Sequence, residues 1–152
     1  MEIIKLTKEL IPELLSFERD LRSEEPEVFM WEIDEDYIKN LESSFGDGRF
    51  DSSAVSLLAY DGGRVVGRID ASLIYSRFDG TVSQAYLDWI CVLKSERHKG
   101  VGRALLAALK SELKEMGVSS LMVLTAENGE AAAFYDNCDG IRFMRGAMID
   151  MM

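Results

Sequence analysis

The chain has 152 residues, a net charge of −10, and 47% hydrophobic and 29% charged side chains. That length and composition fit one globular domain over 1–152, able to bury about two-thirds of its unfolded surface. Acidity argues against nucleic-acid binding, which depends on neutralising phosphate, and one His with two Cys argues against a metal site.

No stretch is long and apolar enough for a membrane span, and Met1-Glu2-Ile3-Ile4-Lys5 lacks the form of a signal peptide, so a cytoplasmic protein without membrane partners is expected. Cys91 and Cys138 then read as free thiols of a reducing compartment. The charge is uneven: residues 1–60 hold 15 acidic and 6 basic side chains, whereas residues 61–152 hold 12 and 11. The acidic third could face a cationic substrate or simply serve solubility.

Glu2 to Leu6 reads as a first strand. Lys8 to Arg22 places Leu10, Leu14, Leu15, Phe17 and Leu21 near helical spacing, with Pro12 tolerated in the first turn. Ser23 to Trp31 is an irregular segment carrying Phe29, Met30 and Trp31. Asp34 is the expected N-cap of a second helix through Leu41 and Phe45. A polar break from Gly46 to Ser53 follows. Ala54–Tyr60 and Arg64–Tyr75 are strands joined at Asp61-Gly62-Gly63, a hairpin signal.

Ala85 to Leu93 is almost continuously apolar and reads as a central strand. A helix follows with Leu105, Leu109, Leu113 and Met116 on one face and Gly117 as its stop. Leu121 to Thr125 is a further strand. Ala131 to Tyr135 lies on a further helix, and Ile141 to Asp150 gives one or two closing strands. The order is mixed α/β, with an antiparallel front half.

The junction Arg97-His98-Lys99-Gly100-Val101-Gly102-Arg103 holds the strongest chemical signal. Free N–H groups at a helix start favour an anion, and Gly100 and Gly102 let a phosphate approach the main chain. Lys94, Arg97, Lys99 and Arg103, less Glu96, give this stretch a local charge of +3. On this reading Gly102→Val blocks the anion and leaves the fold stable. Neither a P-loop nor a dinucleotide fingerprint matches.

Arg97-x-x-Gly100-x-Gly102 resembles the Q/R-x-x-G-x-G/A signature of the GNAT acyltransferase superfamily. Asn128, with Tyr135 seven residues later, matches that family's second block. The resemblance implies a twisted mixed sheet of six to seven strands, splayed in the middle and flanked by about four helices. It implies acetyl-CoA as acetyl donor, with the pyrophosphate on the amides of Arg97, His98, Lys99, Gly100, Val101, Gly102 and Arg103. Ile90, Cys91 and Val92 would hold the pantetheine through main-chain bonds. Asn128 would hydrogen-bond the pantetheine or cap a helix. Tyr135 would protonate the leaving thiolate, or pack. Phe29 and Trp31 would shape the acceptor pocket, or join the core.

Asp88 is the one charge in the central apolar run. Strand alternation puts it on a face with Tyr86, Ile90 and Val92, away from Cys91. Burial would raise its pKa and make it a general base; it could equally anchor a substrate cation or pair with Arg68. The expected reaction is direct transfer to a primary amine of a small cationic molecule, a polyamine or an aminoglycoside. A peptide or amino-acid acceptor is the alternative, and a non-catalytic CoA-binding module is the alternative of another class. Val123 stands where protein N-terminal acetyltransferases of the family often carry Glu, and the turn after Tyr135 is one residue longer than the family pattern. A homodimer remains open.

Overall fold

A computed structural model describes residues 1–46, 53–125, 129–144, 146 and 149. The expected polar break falls largely outside these residues, and Asn128 lies outside them entirely.

The elements are β1 (Glu2–Lys5), α1 (Ile11–Glu24), α2 (Glu35–Gly46), β2 (Ala54–Asp61), β3 (Arg64–Tyr75), β4 (Val82–Val92), α3 (Val101–Glu115), β5 (Ser120–Met122) and α4 (Gly129–Asp136). Short 3-10 turns at Lys8–Leu10 and Lys94–Glu96 precede α1 and α3. The strands lie in the order β1-β2-β3-β4-β5, antiparallel except for the parallel β4–β5 pair.

Local chemistry explains most of these boundaries. Asp34 caps α2, its Oδ1 accepting the Tyr37 N–H at 2.8 Å, which satisfies a donor the helix start leaves free. Gly62 and Gly63 both take positive φ, +58° and +80°, as a two-residue hairpin turn requires.

Two helices cover opposite faces of the sheet. A Cβ on Gly67 would stand 3.0 Å from Leu105 and Val101 of α3, while the next residue, Arg68, reaches Glu18 of α1. Adjacent strand residues point to opposite faces, so the sheet lies between α1 and α3. Leu14, Phe17 and Leu21 from α1, with Leu105 and Leu109 from α3, are the deepest apolar helical side chains described.

Five strands are described rather than six to seven. Of the expected closing strands, residues 141–144, 146 and 149 carry no strand, and the rest of 141–150 lies outside the described residues. β5 is only three residues long and ends at Met122, short of the expected Thr125, so it offers a following strand little ladder. Ile141 packs against the core, whereas Phe143, Met144 and Ile149 are largely exposed. Among the described residues no helix is long and apolar enough to cross a membrane.

Candidate active site

β4 and β5 pair only over Gln84–Tyr86 and Ser120–Met122. Beyond Tyr86, β4 runs on to Val92 with no β5 partner among the described residues, so the sheet opens along that edge. Main-chain groups there lack the ladder that would otherwise satisfy them.

At the end of this edge lies the basic loop. Gly100 is the N-cap of α3 with φ +86°, a left-handed conformation that glycine adopts without strain, and open space lies where its Cβ would be. His98 also has positive φ, +63°, and its side chain is 84% exposed. Val101 is buried, so only its main chain could meet a ligand.

The loop is less positive than its sequence implies. Arg97 forms a two-pronged ion pair with Glu25, with Nη1 at 3.1 Å from Oε1 and Nη2 paired to Oε2. Its Nη1 also meets Glu130 Oε2 at 3.0 Å, and its Nε donates to the Val92 carbonyl at 3.3 Å. His98 Nε2 stands 3.6 Å from Glu130 Oε1, and Lys99 pairs with Glu96 at 2.7 Å. With Glu25 and Glu130 included, the local charge falls from +3 to +1. Glu24 straps the same loop by accepting bonds from the Ser95 N–H and hydroxyl at 3.3 and 2.6 Å.

Gly102 has a second duty that the sequence hides. A Cβ there would lie 3.2 Å from Phe134 Cε2 of α4, tighter than ordinary van der Waals contact, so any side chain larger than glycine's pushes on that ring. The expectation that Gly102→Val leaves the fold stable is therefore corrected.

Tyr135, next to Phe134 on α4, is 7% exposed. Burial is the main reason its pKa lies above 10; the Cys138 thiol and the Tyr86 phenol add to the rise. The ring borders a cleft of about 510 Å³ together with Leu87, Leu106 and Leu113. Of the candidate residues only Tyr135 lines that cleft, which is mainly the apolar space between α3, β5 and α4.

Asp88 departs from the strand alternation. Asp70 pairs with Trp89 and Ala71 with Leu87, so Asp88 is the extra residue of a β-bulge. The bulge reverses the alternation beyond it. Ile90 pairs with Ile69 on the α3 face, while Cys91 pairs with Arg68 on the α1 face. Asp88 accepts a 2.7 Å bond from the Ser72 hydroxyl, which puts it on the α1 face too. Asp88 thus shares its face with Cys91 and not with Ile90, and it is exposed rather than buried.

Arg68 does not pair with Asp88. It reaches Glu18 Oε1 at 2.8 Å and Asp70 Oδ2 at 2.7 Å, with its guanidinium 5.4 Å from the centre of the Trp89 ring. The buried carboxylates around Arg68 are therefore Glu18 and Asp70. Burial raises the Glu18 pKa despite the opposing pull of Arg68 and of the Tyr37 hydroxyl, which donates to Oε1 at 2.8 Å. Cys91 lies against this group, and burial pushes its thiol well above 9. The sequence reading missed Glu18, Asp70, Glu25 and Glu130. Arg68-x-Asp70 at strand spacing was the available signal for one of them.

Phe29, Trp31 and Trp89 form an edge-to-face cluster with ring centres 5.5–6.2 Å apart, which brings the segment between α1 and α2 onto the bulge beside Asp88. Phe29 is buried and Trp31 half-buried, whereas Met30 is 72% exposed.

The sequence model of the Acetyltransferase (GNAT) family matches residues 12–139. An aminoglycoside acetyltransferase, meta-AAC0020, from an uncultured soil metagenomic sample in complex with sisomicin has a similar structure. Its TM-score is 0.82 at 14% identity, over 99% of this chain and 95% of that one. AAC(6')-Iy in complex with the bisubstrate analog CoA-S-monomethyl-acetylneamine gives 0.74 at 18%, over 99% and 97%. Ribosomal-protein-alanine N-acetyltransferase from Brucella melitensis biovar Abortus 2308 gives 0.72 at 18%, over 99% and 100%. No curated protein sequence matches the chain significantly. These identities speak for the shared fold alone, but the family match spans most of the chain, and with the splayed sheet and the loop at the start of α3 it makes this protein a GNAT-family acetyltransferase.

Proposed function

We propose that the protein transfers the acetyl group of acetyl-CoA directly to a primary amine of a small cationic molecule, of polyamine or aminoglycoside type. The observation that carries this reading is the open edge of β4 from Leu87 to Val92. It runs between an anion-accepting loop at one end and Asp88 with its aromatic cluster at the other. The aminoglycoside acetyltransferases among the structural neighbours support the acceptor class.

The donor supplies an activated thioester; the chain's residues bind, orient and move the protons. Gly100 and the N–H groups starting α3 suit the pyrophosphate, as the open space before Gly100 allows. Ile90, Cys91 and Val92 offer main-chain groups along the open edge for the pantetheine and the developing oxyanion. The Tyr135 phenol, held protonated by its raised pKa, suits donation to the departing thiolate. Asp88, exposed and fixed by Ser72, suits holding an ammonium group more than acting as a desolvated base. Trp31, half-buried, offers the acceptor an aromatic wall, with buried Phe29 packed behind it. The protonated, buried Cys91 thiol argues against a covalent acetyl-cysteine and for direct transfer.

Thiol release from acetyl-CoA, measured against polyamines, aminoglycosides, amino acids and peptides, tests this. Turnover should be best on polycationic small amines. Turnover confined to peptides would move the acceptor class, and CoA binding without turnover on any amine would leave a binding module. Tyr135→Phe keeps the ring, so CoA binding should persist while kcat falls by about ten- to a thousandfold. An unchanged kcat would reduce Tyr135 to packing.

A further inference from the structure

We infer that Glu130 is an internal counter-anion that occupies the phosphate loop before the donor arrives and lowers the affinity for it. The inference rests on the loop being the phosphate site. Glu130 lies in the first turn of α4, and its two oxygens meet two residues of the loop, Arg97 Nη1 at 3.0 Å and His98 Nε2 at 3.6 Å. Its side chain is 62% exposed, so the carboxylate leaves without breaking a core. Glu25 differs, being largely buried and gripping Arg97 with both oxygens. Arg97 therefore has one fixed partner and one exchangeable partner. A pyrophosphate at the α3 N-terminus brings negative charge to the place where Glu130 now faces that guanidinium. Two anions on one cation repel, and the exposed one yields.

The same carboxylate ties the donor site to the residue proposed for proton transfer. α4 rests on α3 through Phe134 over Gly102, and Tyr135 follows Phe134. Release of Glu130 removes one tie between the loop and the start of α4, which couples phosphate binding to the helix that carries Tyr135. Glu130 is a positioning residue, acting through Arg97 and His98 rather than on the reacting atoms.

Calorimetric titration of CoA into wild type, Glu130→Gln and Glu130→Asp tests this, at about 50 mM and about 500 mM salt. An exposed ion pair is worth up to about 1 kcal/mol, so Glu130→Gln should bind CoA about two- to fivefold tighter at low salt. The gap should close at high salt, and Glu130→Asp, which keeps the charge, should stay near wild type. In kinetics the gain should fall on the KM for acetyl-CoA. A merely structural role would move the melting temperature and leave CoA affinity alone. Wild-type binding that Glu130→Gln leaves unchanged or weakens would overturn this inference and spare the loop assignment. No CoA binding by any of the three would overturn both.

Discussion

Arg68 and Arg97 each sit between two carboxylates, yet one trio is closed into the core and the other opens to solvent. Around Arg68, Glu18 is 1% exposed, and Glu18 Oε2 and Asp70 Oδ1 are buried without a hydrogen-bond partner among the described residues. Around Arg97, Glu25 is nearly as enclosed but Glu130 is not. Burial turns the first trio into a fixed floor beneath Trp89, because removing any member strands a charge away from water. Exposure turns half of the second trio into an exchangeable contact, because solvent can replace a departing carboxylate. In the proposed site the acceptor end therefore rests on a rigid support, while the donor end keeps an exchangeable contact.

Deleting each arginine tests that contrast most strongly. Arg68→Ala should cost about 3–5 kcal/mol of unfolding free energy, since it leaves Glu18 and Asp70 buried together and takes the cation from the Trp89 face. Arg97→Ala should cost about 1–2 kcal/mol, from the lost grip on Glu25 and on the Val92 carbonyl. CoA affinity should respond in the opposite order, falling with Arg97→Ala and little changed by Arg68→Ala where the fold survives. Urea unfolding of both variants checks the first pair of values and CoA titration the second. Equal stability losses would remove the distinction between the two trios.

Gly102→Val acts at the donor end through packing. The new side chain meets Phe134 where even a Cβ is 3.2 Å from the ring, so α4 must shift, at a cost of about 1–3 kcal/mol. Replacing glycine within a helix returns up to about 1 kcal/mol of that. CoA affinity should fall alongside. Full stability with lost affinity would mean that α4 yields freely to the loop.

The sequence made the frame legible because its signals are local. The Asp34 cap, the Gly62-Gly63 turn and the apolar periodicity of α3 are each decided within a few residues. The strand-loop-helix junction was legible for the same reason. What stayed hidden depends on partners distant in the chain. The charge imbalance of the first sixty residues invited a cationic substrate or mere solubility as its reason, yet Glu18, Asp20 and Glu24 of α1, and Glu25 just after it, turn to Arg68, Arg64, Ser95 and Arg97. Three of those four carboxylates are paired with arginines within the fold. The Asp88 bulge was hidden because one extra residue reverses every later side chain, and alternation alone does not announce it. The shortness of β5 and the absence of strand over the described part of 141–149 depend on long-range ladder pairing, which a local apolar pattern does not specify.

The smallest expected effect separates the two ends by pH. Burial raises the Glu18 pKa above 4.5, so the folded protein takes up this proton before the unfolded chain does. Stability from Glu18 therefore rises as pH falls through its folded pKa and is fully present below 4.5. At the donor end the sign is reversed. The Glu24 pKa is lowered by its bonds from Ser95 against an opposing desolvation, and that of Glu96 chiefly by its bond from Lys99, so their stability holds above 4.5 and is lost as pH falls through the lower folded values. The two windows meet at 4.5. Wild type should gain on Glu18→Gln as the pH falls toward 4.5, and the difference should then stay flat. Glu24→Gln should change nothing above 4.5 in slope and soften the loss below it. Urea unfolding across the pH range reads both curves. A difference from Glu18→Gln that stays flat down to 4.5 and shrinks only below it would mean that Arg68 outweighs burial and holds the folded pKa down.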